Sequence, residues 1–413
     1  MFKFLHAADI HLDSPLLGLN RYDGAPVDEF RVATRRALEN LVALAVEERV
    51  AFVLIVGDLY DGDWLDYNTG LFFSAQMSRL RDARIPVYLI RGNHDAANRM
   101  TRDLKPLDNV RLLSVQRPET VTLDDVGVAL HGQGYEKRAV LENLAAAYPK
   151  RVPGLFNIGL LHTGVDGREG HEPYAPCTLD DMRGHDYDYW ALGHIHKREV
   201  LRPGGPLIAF PGNVQGRHVR EAGPKGCLLV TVDDAGNAAA EPRWLDVLRW
   251  EVCRVDAAGA VDGDDLLARF CARLDALLPG LDDRMLALRV EFQGGCRAHA
   301  AVASDWPYWS NEVRQRATEG GSGRVWVEKV VSRTTPPPAP VDPTADGPLV
   351  ELELVLEELR GDVVQLKALF DRELDDLRKK GPWLLDDLDS PERLRGLLDQ
   401  VGPLLLSRLS ECP

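Results

Sequence analysis

Five short clusters of polar residues contain the side chains that proteins use to bind divalent metal ions, and each cluster follows a short apolar run. The clusters are residues 9–11, 57–61, 92–95, 162 and 193–196. Together they offer imidazole nitrogens and carboxylate or amide oxygens. Such mixed ligation favours Mn²⁺, Fe²⁺ or Zn²⁺ over Mg²⁺, which prefers oxygen ligands and retained waters. The sequence therefore predicts a transition-metal site assembled from five separate segments.

The donors in these clusters are numerous enough for two ions. Asp58 would bridge the ions, because one carboxylate has two oxygens to share. The other predicted ligands are Asp9, His11 and His196 for one ion, and Asn93, His162 and His194 for the second. Two divalent ions about 4 Å apart activate a water molecule and clamp the attacking and leaving oxygens of a phosphoryl group. The predicted chemistry is displacement at phosphorus, which needs no protein nucleophile.

His94 adjoins a predicted ligand but is not needed by either ion. It is the candidate to hydrogen-bond a phosphoryl oxygen in the transition state or to protonate the leaving group. Asp61 and Asp95 are predicted to orient imidazole rings. The other histidines lack a strand-end setting and are interpreted as structural or surface residues; they are His6, His131, His171, His185, His218 and His299.

The apolar runs before the clusters have the length and β-branched content of buried strands, as in residues 52–56. Ligands bind at the carboxyl ends of such strands, so the clusters are expected to meet at one place. Gly57 would let the backbone turn closely past a bound ion. Helical spacing over residues 30–46, with Asp28 as a predicted cap, and over residues 71–83 places helices between the strands.

From about residue 110, short strands replace the alternation of strand and helix. This change predicts an α/β fold, a two-sheet sandwich flanked by helices, over residues 1–255. Residues 256–332 read as helix, strand, helix and strand, a small α+β module expected to shape access to the site or to bind substrate. Residues 333–348 are rich in proline and predict an extended linker.

Residues 349–413 are predicted to form a helical C-terminal region. Apolar residues recur at steps of three and four from Leu352 to Phe370, and a last helix is predicted over residues 392–409. Two interpretations stay open. The helices could pack on the main body as a pair, or their apolar stripe could dock a partner protein.

The composition narrows the class of protein. The net charge of −15 and the pI of about 5.2 argue against a free-standing basic nucleic-acid binder, because neutralised phosphates drive such binding. The six cysteines contain no Cys-x-x-Cys pair and are expected to be reduced structural thiols. No apolar run has transmembrane length, and the first residues enter a strand without a signal-peptide core, so a cytoplasmic protein without membrane association is expected.

The loop at residues 211–218 has two interpretations of equal weight. In the first, Asn213, Gln215 and Arg217 lie beside the ions and contact a phosphate or a DNA backbone. In the second, the loop is a tight Pro-Gly turn with a solvated arginine. The position of these side chains relative to the metal site distinguishes the two interpretations.

The clusters resemble a known family when they are taken in order. Asp-x-His, Gly-Asp-x-x-Asp, Gly-Asn-His-Asp, a lone His and Gly-His-x-His follow one another as in the calcineurin-like metallophosphoesterase superfamily, with every ligand position filled. Residues 5–15, 57–61 and 211–218 further resemble the bacterial DNA-repair exonucleases of the SbcD type, in their YhaO-like branch. The superfamily motifs cover about residues 1–220.

This resemblance implies a manganese-dependent phosphodiesterase that acts on DNA, as a 3′-to-5′ exonuclease with some endonuclease activity. It also implies that residues 256–332 are a capping domain and that an SbcC-like ATPase engages the C-terminal region. The oligomeric state stays open, with a homodimer as one alternative. Two other functions stay open: a phosphatase or phosphodiesterase for a small molecule or phosphoprotein, and a scaffold without activity. A scaffold would have no need for seven intact ligands and His94.

Overall fold

The computed structural model describes residues 1–14, 27–61, 67–97, 107–165, 174–337, 348–362, 364–368, 394–396 and 398. Three predicted features lie wholly or mostly outside these residues: His171, the proline-rich linker and the last helix. The described residues divide into two compact units. The first contains Met1–Glu251, Leu281–Leu288 and Arg324–Glu328, and the second contains the remaining described residues. The predicted domain limits at residues 255, 332 and 348 stay predictions.

The first sheet of the first unit places three of the cluster-bearing strands side by side. Its spatial order is β12 (Ala238–Trp244), β11 (Gly226–Val232), β1 (Phe2–Ala7), β2 (Phe52–Val56), β3 (Val87–Ile90) and β4 (Val110–Leu112). Strands β1 to β4 are parallel, whereas β11 is antiparallel to both of its neighbours. Every residue of β2 is buried, which explains why its sequence is continuously apolar rather than alternating.

The second sheet carries the two remaining clusters. Its spatial order is β5 (Glu119–Leu123), β6 (Val128–Gly132), β7 (Phe156–His162), β8 (Tyr189–Gly193), β10 (Leu207–Phe210) and β9 (Glu199–Arg202). The four central strands are parallel, and β5 and β9 pair antiparallel at the two edges. The central strands therefore end on the same side of this sheet.

The two sheets pack face to face around one apolar core. Phe4 and Phe52 of the first sheet belong to the same buried cluster as Ile158 and Tyr189 of the second. The rings of Phe4 and Phe52 are stacked at 5.0 Å, and Tyr189 meets Phe4 edge-on at 5.4 Å. Offset and edge-on rings are the favoured aromatic geometries and add to the apolar area that they bury.

Helices cover the outer face of the first sheet, where Leu38, Leu41 and Ile55 share a buried cluster. The helices of the first unit are α1 (Val27–Glu47), α2 (Tyr67–Asp82), α3 (Asn93–Ala97) and α4 (Leu179–Arg183). The predicted α/β class, a two-sheet sandwich flanked by helices, is confirmed. The prediction for Asp28 is wrong, because α1 begins at Val27 and Asp28 lies within its first turn.

Before its tail, the described part of the second unit contains three α-helices and part of a three-stranded sheet. The helices are α5 (Gly263–Leu277), α6 (His299–Ser304) and α7 (Trp306–Gly320), and the sheet has the order β13 (Leu248–Asp256), β14 (Met285–Gly295), β15 (Val325–Thr335). The helical stretch expected over residues 298–316 is two helices. Asp305 separates them, because its side chain accepts a hydrogen bond from the Tyr308 N–H and caps α7.

The described part of the tail begins with α8 (Pro348–Gly361). Leu356, Leu359, Leu366, Leu394 and Leu398 form one buried cluster, so tail side chains cover one another along the predicted apolar stripe. Val355, which belongs to the same predicted stripe, is half exposed. None of the described helices is both long and apolar enough to cross a membrane.

Candidate metal centre

The ends of β1, β2, β3, β7 and β8 meet at one side of the sandwich and bring the five clusters together. The donor atoms of Asp9, His11 and His196 all lie within 4.8 Å of one another, and so do those of Asp9, Asp58 and His162. Asn93 Oδ1 lies 3.1 Å from His162 Nε2. The structure therefore gathers residues that are separated by up to 187 positions in the chain.

His194 joins this group through its ring and its backbone. Its ring centroid lies 5.3 Å from that of His162. Its backbone N–H donates to the Asp9 carboxylate at 3.0 Å. All seven predicted ligands thus lie at one site, and their assignment as ligands stays a prediction.

Asp58 lies between the two groups of predicted ligands. Its Oδ2 is 3.4 Å from His162 Nε2 and 3.9 Å from His11 Nε2. Its Oδ1 accepts a hydrogen bond from the His94 backbone N–H at 2.9 Å. One oxygen of this carboxylate is therefore held by the protein, and the other faces both groups.

Four predicted ligands have unusual backbone conformations. Asp9, His11, Asp58 and His194 have φ values of 51°, 45°, 52° and 100°. Positive φ is uncommon for residues other than glycine and costs on the order of 1–3 kcal/mol at each position. Such strain persists where the surrounding structure fixes it, and here the Asp9 and His11 N–H groups donate to the carbonyls of Gly57 and Asp58.

Gly57 has φ +82°, which favours glycine, and its position also leaves room for the His162 ring. A Cβ built on it would lie 2.2 Å from His162 Nδ1. A Cβ on Gly193 would lie 1.9 Å from the Val56 carbonyl oxygen and 2.9 Å from the same His162 atom. Both glycines therefore make room for the His162 ring between β2 and β8.

Gly193→Ala is expected to lower the free energy of unfolding by about 1–3 kcal/mol, the range typical of overpacking. The added methyl would push β8 away from Val56 and displace His162. Urea denaturation of the metal-stripped protein measures the loss. Gly204→Ala is the matched control, because its Cβ would meet no described atom within 4 Å. An unchanged midpoint for Gly193→Ala would contradict this packing.

Hydrogen bonds on the far side of two imidazoles fix which nitrogen faces the site. His162 Nδ1 donates to the Val56 carbonyl at 3.0 Å, and His196 Nδ1 contacts Glu221 Oε1 at 2.7 Å. Both rings therefore present Nε2 to Asp58, Asn93 or Asp9. A partner that holds one nitrogen of a metal-binding histidine orients the other toward the ion.

The charge states at the site fit divalent cations. Burial raises the pKa of the Asp9 carboxyl, as expected for an acid that lacks a sufficient neighbouring cation. Burial and the Arg217 charge lower the pKa of His11, so that its ring is neutral. Burial acts to raise the pKa of Asp58, but the charge and hydrogen bond of His162, together with the other nearby imidazoles, outweigh burial and lower the pKa. A neutral imidazole and carboxylates that need positive charge are what such ions require.

The carboxylates around His162 also favour a positive charge at that position. Burial acts to lower its pKa, but the Asp58 and Asp9 carboxylates outweigh burial and raise the pKa to about 9. A proton thus occupies a position that a cation could take, and metal binding would release it. We conclude that the residues present fit a pair of divalent metal ions.

His94 is held beside these groups by Asp61. Its Nδ1 lies 2.5 Å from Asp61 Oδ1, and its side chain is 32% exposed. Burial acts to lower the pKa of His94, but the Asp61 hydrogen bond and the Asp58 charge raise it overall. Because Nδ1 is occupied, Nε2 is the atom available to a bound substrate.

The two predicted orienting carboxylates have different partners. Asp61 holds an imidazole, as predicted. Asp95 accepts hydrogen bonds from the backbone N–H groups of Tyr60 at 2.9 Å and Gly92 at 3.0 Å. The prediction that Asp95 orients an imidazole is therefore wrong, because the turn after β3 directs its side chain to the loop after β2.

A cavity of about 710 Å³ opens over the centre. The described residues that line it include five cations and only two carboxylates, Asp58 and Glu221. The cations are Arg138, Lys197, Arg217, Arg220 and Lys225. Apart from Arg217, sequence reasoning missed them, since net charge is a whole-chain quantity and they come from separate loops. Tyr174, also missed, lines the cavity and meets the His194 ring edge-on at 5.5 Å.

The loop at residues 211–218 agrees with the first interpretation for Arg217 alone, and the solvated arginine of the second interpretation is wrong, because Arg217 is 16% exposed and paired with two carboxylates. Asn213 and Gln215 are buried and bond to protein groups, among them Glu221 and the Leu248 carbonyl. Arg217 lines the cavity, and its guanidinium lies 3.2 Å from Glu221 and 3.4 Å from Asp61. Of the three side chains predicted to contact a phosphate, only Arg217 is therefore placed to meet a substrate.

The remaining described histidines differ in setting. His6 is buried between the Tyr189 hydroxyl and the Leu192 carbonyl, and His131 contacts Thr120 and Asn157. Both have the structural role that was predicted. His218 differs, because it lines the cavity.

Comparisons with known proteins agree with this geometry. Residues 2–198 match the family model described as calcineurin-like phosphoesterase, and they include all seven predicted ligands and His94. This part of the chain belongs to the calcineurin-like metallophosphoesterase superfamily. Residues 250–335 match a second model, described as the middle domain of metallophosphoesterase YhaO.

Two relatives of the metallophosphoesterase part are informative. An uncharacterized metallophosphoesterase, YhaO of Bacillus subtilis, is 39% identical over 260 residues, which cover 62% of this chain and 64% of YhaO. The DNA double-strand break repair protein Mre11 of Sulfurisphaera tokodaii is 26% identical over 220 residues, 51% of this chain and 53% of Mre11. The matched part is thus less than two thirds of either relative.

Among solved structures, a dimetal phosphatase from Danio rerio covers 58% of this chain and 98% of its own, with 14% identity and a TM-score of 0.37.

Proposed function

We propose that this chain is a two-metal phosphodiesterase that cleaves DNA, with Mn²⁺ as its working ion and 3′-to-5′ exonuclease activity as its main reaction. Membership of the metallophosphoesterase superfamily and the seven gathered donors support metal-dependent phosphoester hydrolysis. The similarity to Mre11, which is named as a DNA double-strand break repair protein, supports DNA as the substrate.

The observation that carries the choice of DNA is the charge of the cavity. The whole chain has a net charge of −15, yet the described cavity lining holds five cations against two carboxylates. A cleft lined by one sign of charge focuses the field and raises the local concentration of an oppositely charged substrate. The acidic composition argues against DNA binding only if charge is spread evenly. DNA would bind at the cavity, where the described lining carries an excess of positive charge.

Each side chain of the centre has a distinct task in this proposal. Two divalent ions held by the seven donors would neutralise phosphoryl charge and supply an activated water near neutral pH. Asp58 would hold both ions: its Oδ1 accepts a hydrogen bond from the His94 N–H, and its Oδ2 faces both groups of predicted ligands. His94, fixed by Asp61, hydrogen-bonds a phosphoryl oxygen or protonates the leaving oxygen through Nε2. Arg217 adds positive charge beside them.

The decisive experiment uses chelator-stripped protein and end-labelled linear duplex and single-stranded DNA. Manganese, magnesium or no metal is added back, and a small phosphodiester and a monoester are assayed in parallel. We expect shortening of DNA that depends on manganese, and the position of the label gives the polarity. Intact DNA together with cleavage of a small ester would favour a phosphatase or small-molecule phosphodiesterase instead.

An SbcC-like ATPase is proposed as the partner of the C-terminal helices. Leu354, Val355 and Val364 support this proposal, since they are exposed on the described tail at 65%, 49% and 81%. A second DNA-cleavage reaction therefore includes such an ATPase with ATP, and the two proteins are tested for comigration. The partnership would be contradicted if cleavage did not increase and the proteins did not comigrate. Light scattering of the chain alone tests the proposed homodimer.

The exposed cations of the cavity lining, Arg138, Lys197 and Arg220, are called the rim and give a direct test of DNA as substrate. The triple variant Arg138→Ala, Lys197→Ala and Arg220→Ala is expected to raise the KM for DNA by about 10–100-fold at low salt. It should also reduce the slope of log KM against log salt concentration by about three, roughly one for each lost phosphate contact. Turnover of a small phosphodiester should change less, because it has one phosphate and forms fewer ionic contacts than a DNA strand.

The matched control removes the same charges elsewhere. Arg81, Arg117 and Lys150 are exposed and do not line the cavity, and their triple alanine variant has the same net charge as the rim variant. It should retain the KM for DNA. Equal effects of both triple variants would show that overall charge, and not the cavity, governs DNA binding.

A further inference from the structure

Glu221 is a buried carboxylate that lines the cavity but belongs to none of the five clusters. It ends the short 3-10 turn Val219–Glu221 and is only 6% exposed. Its Oε1 lies 2.7 Å from His196 Nδ1. On the opposite side of the same ring, His196 Nε2 lies 3.7 Å from Asp9 Oδ1 and 3.2 Å from His11 Nε2. Glu221 therefore holds the imidazole by the nitrogen that does not face the site.

The other partners of Glu221 are hydrogen-bond donors. Oε2 accepts from the Asn213 side-chain amide at 3.0 Å and from the Arg217 backbone N–H at 2.8 Å. Oε1 also accepts from Arg217 Nη2 at 3.2 Å. Since both oxygens are acceptors in this network, His196 Nδ1 must carry the hydrogen that it shares with Glu221. The longer approach of Arg217 Nη2 to His196 Nδ1, at 3.4 Å, does not compete with this bond.

The same segment also fixes the backbone of His196. Lys225 Nζ donates to the His196 carbonyl at 2.9 Å, and the Asn213 N–H approaches that oxygen at 3.4 Å. Gly216 permits this close packing, since a Cβ there would lie 2.9 Å from the Glu221 carbonyl oxygen. Residues 213–225 thus hold His196 at its ring and at its main chain.

From these contacts we infer that Glu221 is a positioning residue, which keeps His196 in the Nδ1–H tautomer with the Nε2 lone pair aimed at the metal centre. The inference rests on the proposed function, in that His196 must be a metal ligand for its tautomer to matter. The neighbouring Arg217 supplies the balancing charge and joins Glu221 to Asp61, which orients His94. One network of charged side chains therefore orients both a predicted ligand and the predicted acid.

Glu221→Gln tests the inference without changing the shape of the side chain. The Gln amide nitrogen must face either His196 Nδ1–H or the donors of Asn213 and Arg217, so one set of hydrogen bonds is lost. Two-bond ¹H–¹⁵N spectra of metal-free protein, assigned with His196→Ala, report the tautomer. We expect His196 to be mainly Nδ1–H in the wild type and a mixture in the variant.

Calorimetric titration of Mn²⁺ into stripped protein gives the second readout. Loss of such an orienting partner costs about 10–100-fold in metal affinity, and we expect that loss at one of two ion sites. Asp246→Asn is the control, because Asp246 is a similarly buried carboxylate whose side chain pairs with Arg249 and Arg284 and does not line the cavity. It should leave both affinities unchanged. Glu221→Asp retracts the carboxylate by one methylene but keeps its charge, and should show a smaller loss.

An unchanged His196 tautomer together with wild-type affinity at both sites in Glu221→Gln would overturn the inference. If Glu221→Gln does not fold, the same measurements on Glu221→Asp decide. Wild-type protein that binds no Mn²⁺ would instead overturn the proposed function. The nitrogen spectra separate these failures, because they report the orientation of His196 without metal.

Discussion

Asp58→Asn is expected to abolish the binding of two ions and to lower DNA cleavage on the order of 10³-fold or more, equivalent to about 4 kcal/mol of transition-state stabilisation. The amide oxygen would take the place of Oδ1, because that atom accepts from the His94 N–H. The amide NH₂ would then point at His162 and His11, where Asp58 Oδ2 lies. An N–H donor would then replace the oxygen that faces both groups of predicted ligands, and one negative charge would be lost.

Metal analysis and calorimetry at saturating Mn²⁺ measure this change directly, and the DNA assay measures its consequence. Asp246→Asn is again the control for loss of a buried carboxylate, and it should keep two bound ions and full activity. Two ions and normal cleavage in Asp58→Asn would refute the assignment of Asp58 as the bridge.

His94→Ala is expected to keep both ions and to lower kcat by about 10²–10⁴-fold, the range of a lost general acid. The His94 backbone N–H still supports Asp58 in this variant, so the ion positions should be preserved. Metal content is measured by elemental analysis and kcat with linear DNA. Loss of an ion would instead make His94 a ligand, as the close grouping of His11, Asp61 and His94 also allows.

Esters with different leaving groups separate the two roles that His94 could have. A nitrophenyl ester needs no proton on its leaving oxygen, so His94→Ala should retain most of its activity on that substrate if His94 is the acid. Equal losses on nitrophenyl and alkyl esters would assign His94 to the phosphoryl oxygens.

The centre could be predicted from sequence because it is built at strand ends. The continuous apolar character of residues 52–56 predicts a buried strand, and Asp58 follows after a single glycine. Parallel strands end on the same side of a sheet, so clusters that are distant in sequence must meet. The same reasoning selected His94 and Asp61 as candidate site residues, because they lie within three positions of predicted ligands in the chain.

Other features of the structure could not be predicted from neighbouring residues in the sequence. Glu221 lies 25 positions after His196 in an irregular segment, and no periodic pattern connects the two. Asp95 has the same sequence setting as His94, yet the turn after β3 directs it to backbone N–H groups. Asp305 ends one helix and caps the next inside a stretch that reads as continuously helical.

The sequence by itself was enough to predict the alternation of strands and helices in the first part of the chain, the candidate metal donors and the superfamily, because these depend on residue types and short-range spacing. Only the tertiary structure decided the charge of the cavity, the orientation of each imidazole and the partners of each carboxylate. Those properties depend on which loops converge in space: the 2.7 Å contact between Glu221 Oε1 and His196 Nδ1 joins two segments that are not neighbours in the chain.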